Sequence, residues 1–296
     1  MDRAAIDADL ARRLIDRQFR QWSQLPIEPV RLDGWDNRTF RLGDELTIRL
    51  PTGHWYAQQV DKEQRWLPVL APQLPLPIPV PVAKGKPDAG FPYPWSVYRW
   101  LEGEVAASAR IDDTAALASD LARFLNALRR VDATDGPLPG EHNFFRGGPL
   151  ATYEREALDA IDALGDEIPR DAVLRTWEDA MSTTYDRDPV WVHGDVAAGN
   201  LLVREGRLAA VLDFGSSGIG DPACDTVIAW TFFEGAGRER FRAQLDADAA
   251  TWSRGRGWGL WKSLIVLVDQ LERDDPEAAE SRRVIDRILA DHANDR

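Results

Sequence analysis

The stretch from Val190 to Gly215, VWVHGDVAAGNLLVREGRLAAVLDFG, constrains this chain more than any other. A short apolar run, Val190–Val192, ends in His193-Gly194-Asp195, and Asn200 follows five residues after the aspartate. Leu201-Leu202-Val203 and Leu208–Leu212 have strand-like composition, with Glu205-Gly206-Arg207 as the turn between them. A hairpin formed in this way folds its second strand back on the first and returns Asp213 to the end where Asn200 began. Residues 18 apart in sequence, Asp195 and Asp213, then become spatial neighbours. That layout places a carboxylate base beside two oxygen ligands for Mg²⁺, an ion that takes one or two carboxylates plus substrate phosphates. Taken singly, each residue reads equally well as a turn cap or a strand end. Taken together they point to phosphoryl transfer, which needs a positioned base, a metal on the phosphates and a lid over the nucleotide.

The pattern HGDxxxxN followed by Asp213-Phe214-Gly215 resembles that of the aminoglycoside phosphotransferase family, relatives of the protein kinases. His-Gly-Asp in place of His-Arg-Asp is similar to the small-molecule kinases, and the continuation DFGSSGIGDPACD, ending at Asp225, fits the same family. The resemblance implies an α+β, bilobal protein-kinase-like fold: a small antiparallel N-lobe with one main helix and a larger, mostly helical C-lobe. It implies Asp195 as catalytic base, Asn200 and Asp213 as ligands of Mg²⁺, His193 as a brace for the loop, and ATP or GTP as cosubstrate. Asp221 and Asp225 are expected to fix the following loop and helix rather than to meet substrate.

Upstream residues supply the rest of a nucleotide site. Residues 5–20 read as an amphipathic helix, with Ile6, Leu10, Leu14 and Ile15 at helical spacing. Strands are expected at Val30–Leu32, Thr39–Leu42 and Leu46–Leu50. The segment from Gly34 to Phe40 is a strand–turn–strand whose backbone N–H groups can cover phosphates. It holds one glycine, so an ordinary hairpin turn is an equal reading. By resemblance, Asn37 and Thr39 are its phosphate contacts. Arg49 alternates with Ile48 and Leu50 and stands where the resemblance places a phosphate-binding lysine; a permanently charged guanidinium keeps the electrostatic role with different geometry. Residues 57–70 look helical at least to Leu67, with Pro68 ending or bending the helix. Glu63 lies in an apolar face with Val60 and Leu67, where an acid must be paired, and the resemblance implies Arg49 as its partner. Residues 68–82 can pass for a proline-rich linker, but in 74–82 prolines alternate strictly with Leu, Ile or Val, which removes every missing donor to one side and favours an edge strand of the N-lobe. Phe91–Trp100 is a further strand region. The resemblance places a hinge at about 99–103, with the Arg99 carbonyl and the Leu101 N–H reading the purine. The expected division is an N-lobe over 1–100, including the first helix, and a C-lobe over 101–296.

Beyond the hinge, helical periodicity dominates. Asp112–Val131 carries an apolar stripe of Leu117, Leu121, Phe124, Leu125 and Leu128. A Gly- and Pro-rich loop covers Asp135–Pro149, and helices are expected near 150–165, 170–185, 225–234, 237–253, 255–273 and 276–292. Of the 12 tryptophans most should be core, with Trp230, Trp252 or Trp258 as minority candidates for a substrate pocket. The resemblance places variable, substrate-facing elements within 139–185 and 230–260.

Composition narrows the partners. A net charge of −13 with no basic stripe argues against nucleic acid. A negative field favours a cationic acceptor, and with the family resemblance this makes an aminoglycoside the first expectation, with antibiotic resistance as the setting. Macrolides, homoserine, choline and sugar-like metabolites are served by the same machinery. One cysteine, no apolar signal core and no apolar run of membrane-spanning length suit a soluble, cytoplasmic protein, monomeric or weakly dimeric. Two rival classes stay open. A nucleotide-binding pseudokinase finds its foothold in Arg49. A two-metal phosphoesterase needs more histidines than the four present, of which His54, His142 and His292 lack ligand-like spacing.

Overall fold

The computed structural model describes residues 3–30, 34 and 36–295. Its N-lobe is a five-stranded antiparallel sheet, β1 (Ile27–Pro29), β2 (Asn37–Leu42), β3 (Leu46–Pro51), β4 (Pro81–Gly85) and β5 (Trp95–Arg99), in the order β1-β2-β3-β5-β4. Period-two alternation divides its side chains. Phe40, Leu42, Leu46, Ile48, Leu50, Trp95 and Val97 face α1 (Ala8–Gln18) and bury Ile6, Leu10, Leu14 and Ile15 beneath it. Thr47, Arg49, Ser96 and Tyr98 take the opposite face, toward α2 (His54–Leu70) and the cleft. Asp7 caps α1 by accepting from the Leu10 N–H at 2.8 Å.

Three sequence expectations shift in the N-lobe. The first named strand is Ile27–Pro29, pairing with Phe40–Leu42, and the Val30 N–H still donates to the Thr39 carbonyl at 3.0 Å. Pro29 is tolerated because β1 is an edge; Arg31 and Leu32 of the expected strand, and Trp35 of the expected lid, lie outside the described residues. Helix α2 starts at His54 and continues through Pro68 to Leu70. A proline in the final turn forfeits one hydrogen bond and leaves the preceding turns intact. The proline-alternating segment forms regular edge pairing only from Pro81, with a bulge before Ala83. Its earlier half is a strap between the lobes: Pro77 offers its carbonyl to the Val211 N–H (3.1 Å), and Val80 to the Arg99 N–H (3.2 Å). Leu74 and Leu76 pack against the C-lobe core, and Ile78 is buried in it. Prolines cannot donate, so this segment joins its neighbours through carbonyls.

The chain enters the C-lobe through β6 (Glu104–Val105), which pairs with the hairpin β8 (Leu201–Arg204)–β9 (Arg207–Val211). A separate pair joins β7 (Val190–Val192) to β10 (Gly218–Gly220). Around them stand α3 (Thr114–Arg130), α4 (Glu154–Leu164), α5 (Arg170–Met181), α6 (Ile228–Thr231), α7 (Gly235–Gln244), α8 (Ala249–Glu272) and α9 (Ala278–Asn294). The predicted stripe on α3 is fully buried. The expected break near 254 is absent: Asp248 caps α8 by accepting from the Thr251 N–H at 2.8 Å, and the helix then runs unbroken through the Gly255, Gly257 and Gly259 positions. These glycines are packing sites, since a Cβ on Gly255 would sit 1.9 Å from the Thr226 hydroxyl. Among the described residues no helix is long and apolar enough to cross a membrane.

Candidate active site

The loop after β7 is held from behind. Asp225, buried at the base, accepts from the backbone N–H groups of His193 (3.0 Å) and Gly194 (2.8 Å). Gly194 has φ +84°, and a Cβ there would lie 2.3 Å from the Ser216 carbonyl oxygen. Only glycine suits that position. His193 is fully buried; its Nε2 lies 2.8 Å from the Leu212 carbonyl, and its Nδ1 lies 3.3 Å from the Asp195 N–H. These partners assign the tautomer: Nε2 donates and Nδ1 accepts. The imidazole thereby ties the Asp195 loop to the strand end that carries Asp213, with the Phe214 ring edge-on to it at 4.7 Å.

Asp195 is gripped through both carboxylate oxygens. The Asn200 side-chain amide donates to the Asp195 carbonyl (2.9 Å) and to its Oδ2 (3.1 Å). The Lys262 ammonium, from α8, donates to Oδ1 at 2.9 Å. Burial alone would raise the Asp195 pKa, but Lys262, assisted by Arg146, outweighs it and holds the carboxyl below its usual range. Asp195 is therefore ionised at neutral pH. Lys262 was not anticipated, because 67 residues separate it from Asp195. Its one signal in the sequence is that it interrupts an otherwise apolar run, GWGLWKSLIVLV.

The predicted hairpin closes on a turn at Glu205 (φ +53°) and Gly206 (φ +75°), as two-residue hairpin turns require. Leu201 pairs with Val211, and the Leu212 N–H donates to the Asn200 carbonyl at 2.7 Å, so Asp213 emerges beside Asn200. Asp213 itself is left-handed, φ +60°. Its Oδ1 accepts from Arg49 Nη2 at 3.1 Å, and the other guanidinium nitrogen lies 3.5 Å from Glu63. The Tyr98 hydroxyl donates to the second Glu63 oxygen. Burial would lower the Arg49 pKa, but the two carboxylates reverse this and raise it; burial, then Glu63, pushes Tyr98 well up. The chain Asp213–Arg49–Glu63–Tyr98 thus links the C-lobe loop, β3, α2 and β5. The Arg49–Glu63 pairing expected from the sequence is present.

Between the lobes lies a cleft of about 710 Å³. Thr39, Thr47, Arg49, Arg99, Leu101, Asn200 and Asp213 all border it. Asn37 is not among its walls; it sits at the start of β2 opposite Pro51 and is buried. Two further groups escaped the sequence reading. Asp36 is raised to about 7, first by burial and then by Asp213. Lys62, next to Glu63 on α2, donates to the carbonyls of Gly215 (2.6 Å) and Ser217 (2.8 Å), and burial depresses it to about 7.

A second cavity, of about 20 Å³, is bounded by Arg146, Asp195, Trp258, Trp261 and Lys262. Trp258 borders this cavity from a buried hydrophobic cluster, and Trp230 and Trp252 are core. Asp221 is absorbed by a buried ion pair with Arg254, at 2.6 Å, and caps the following turn through the Ala223 N–H. It plays the structural part expected of it.

An antiparallel lobe and a helical lobe, with a carboxylate loop and a returning hairpin between them, define a protein-kinase-like fold. The chain belongs to the phosphotransferase enzyme family, whose family model matches residues 27–258. An Escherichia coli aminoglycoside 3'-phosphotransferase is 40% identical over 60 residues, a segment spanning 19% of this chain and 22% of that relative. The GDP complex of wild-type aminoglycoside 2'-phosphotransferase-IIIa superposes with a TM-score of 0.72, at 20% identity over 97% of this chain and 99% of the other. A macrolide 2'-phosphotransferase type I superposes with a TM-score of 0.61, at 19% identity over 95% and 97% of the two chains.

Proposed function

We propose that this protein transfers the γ-phosphate of ATP or GTP to a hydroxyl of a small molecule. The observation that carries this reading is the ionised Asp195 carboxylate, fixed by Asn200 and Lys262 one hairpin end away from Asp213. Asp195 orients the acceptor hydroxyl and takes its proton as the oxygen attacks, the role of a positioned general base. Arg49 faces the phosphates, with Thr39 on the lid strand; His193 positions the loop. Residues 99–103 act as the hinge between an N-lobe over 1–100 and a C-lobe over 101–296, with the Arg99 carbonyl and Leu101 N–H toward the base. The GDP-bound neighbour supports a nucleotide in the interlobe cleft.

The residues present suit Mg²⁺. The Asn200 amide nitrogen is committed to Asp195, which leaves its carbonyl oxygen, and Asp213 keeps one carboxylate oxygen outside its contact with Arg49. Those are hard oxygen donors of the kind the ion takes, and when bound it would neutralise charge on the phosphates. An aminoglycoside is the acceptor suggested by the names of the relatives, and a macrolide by one neighbour. The deciding experiment is a phosphorylation screen of aminoglycosides, macrolides and metabolite alcohols with Mg-ATP and Mg-GTP in parallel. Acceptor-dependent release of ADP or GDP is the expected result. Nucleotide binding with no turnover on any acceptor would favour the pseudokinase reading.

A further inference from the structure

Although the chain is strongly acidic, with a net charge of −13, the acceptor side of Asp195 is built from cations and indoles. The Arg146 guanidinium lies 5.1 Å from the Trp258 ring centre and 4.7 Å from that of Trp261. Tyr153 stacks on Trp261 at 4.0 Å, and Glu156 anchors that indole by accepting from its N–H at 2.6 Å. Stacked on this wall, Arg146 has among the described residues neither a carboxylate partner nor an acceptor for its buried Nε. A buried donor without a partner is unfavourable unless a ligand supplies one.

The loop that presents Arg146 is held in an uncommon conformation. Phe144 and Phe145 are both left-handed, each at φ +51°. Bulky residues persist there only where the surroundings enforce it, and such positions cluster at functional sites. Here the enforcement is visible: Asn143, fully buried, donates to the Arg146 carbonyl (3.0 Å), and the Tyr153 hydroxyl donates to the Phe144 carbonyl (2.8 Å). The cavity floor, about 20 Å³, has room for one or two oxygen-sized atoms between Arg146 and Lys262.

From this juxtaposition we infer that the acceptor carries an oxyanion, a carboxylate or a phosphate, close to the hydroxyl that is phosphorylated. Arg146 receives the anion against the tryptophan wall through its planar fork, and Lys262, which donates to Asp195, lines the same cavity. The expectation of a cationic acceptor came from net charge, a property of the whole surface; the charge beside Asp195 has the opposite sign. The inference rests on the kinase reading for its hydroxyl, and on the pocket alone for its anion.

The test uses matched acceptor sets on the full-length protein. One set is D-glycerate, glycerol 3-phosphate, glycerol and 3-amino-1,2-propanediol; another is D-gluconate, D-glucitol and D-glucamine. Binding is followed by tryptophan fluorescence with Mg-nucleotide present, and turnover by nucleoside diphosphate release. The anionic member of each set should bind at least about tenfold more tightly than its neutral and amino counterparts. The better of D-glycerate and glycerol 3-phosphate then identifies the oxyanion. In Arg146→Gln the preference should fall to about twofold or less, while Arg146→Lys should retain part of it. Equal or tighter binding of the neutral or amino members, or a preference unchanged in Arg146→Gln, would overturn the inference. Separate nucleotide titrations keep the two readings apart. Anion preference without nucleotide binding removes the kinase reading and leaves the pocket, whereas nucleotide-dependent phosphorylation of the amino members alone does the reverse.

Discussion

The link between Arg49 and Glu63 can be weighed by a double-mutant cycle. Glu63 is 6% exposed and Arg49 15%, so the pair is largely removed from water. Breaking such a pair from one side costs about 3–5 kcal/mol, mostly because the remaining charge is buried alone. Arg49→Met strands Glu63, which keeps only the Tyr98 hydroxyl; one surviving hydrogen bond places the cost near the lower end, about 3 kcal/mol. Glu63→Gln is milder. Arg49 retains Asp213 at 3.1 Å, and the amide oxygen can still accept from Tyr98, so about 1–2 kcal/mol is expected. In the Arg49→Met background the sign reverses, because Glu63→Gln then removes an unpaired buried charge. The double variant should therefore be more stable than the sum of the singles by about 2 kcal/mol, within the range for contacting residues. Urea unfolding followed by far-UV circular dichroism, with midpoints and slopes compared, provides the assay. Additivity to within about 0.5 kcal/mol would show that Arg49 and Glu63 do not depend on each other, and the reasoning would fail.

Two further outcomes follow from the geometry. Gly194→Ala forces a Cβ to 2.3 Å from the Ser216 carbonyl oxygen at φ +84°, so the Asp195 loop should shift. The expected signs are destabilisation of at least about 1–3 kcal/mol, read as a lower urea midpoint, and loss of turnover; unchanged values of both would contradict the packing described. Lys62, at about 7 in the fold against 10.5 when free, leaves the unfolded chain binding the extra proton between those values. Stability from this group therefore rises with pH across about 7 to 10.5. The wild type should gain on Lys62→Met as pH is raised through that window, and parallel midpoint profiles for the two proteins would refute the assignment.

The parts of the site legible in the sequence were those set by local periodicity. Residues 201–212 alternate about a turn that tolerates positive φ, and that alone returns Asp213 to Asn200. Arg49 was legible because a strand divides odd from even positions, and Glu63 because an acid on an apolar helix face calls for a partner. What stayed hidden depends on helices docking over long separations. Lys262 reaches Asp195 only because α8 crosses behind the loop, and Arg146 reaches the Trp258–Trp261 wall only through the turn at Phe144-Phe145. No periodicity predicts two consecutive left-handed phenylalanines. The misplaced helix boundary near 254 has a similar origin. Gly255, Gly257 and Gly259 look like breaks, yet they are contact sites inside one helix, chosen for closeness to Thr226, Leu150 and Ile288.

The central claim is that Asp195 activates a hydroxyl for attack on a nucleotide γ-phosphate. The most direct measurement compares wild type with Asp195→Asn, following ³¹P resonances with Mg-ATP or Mg-GTP and an acceptor that the wild type phosphorylates. The wild type should yield a new phosphomonoester signal in step with nucleoside diphosphate, and Asp195→Asn should form it about 10²–10⁴ times more slowly while still binding nucleotide. A phosphomonoester appearing at the same rate in both proteins would contradict the account.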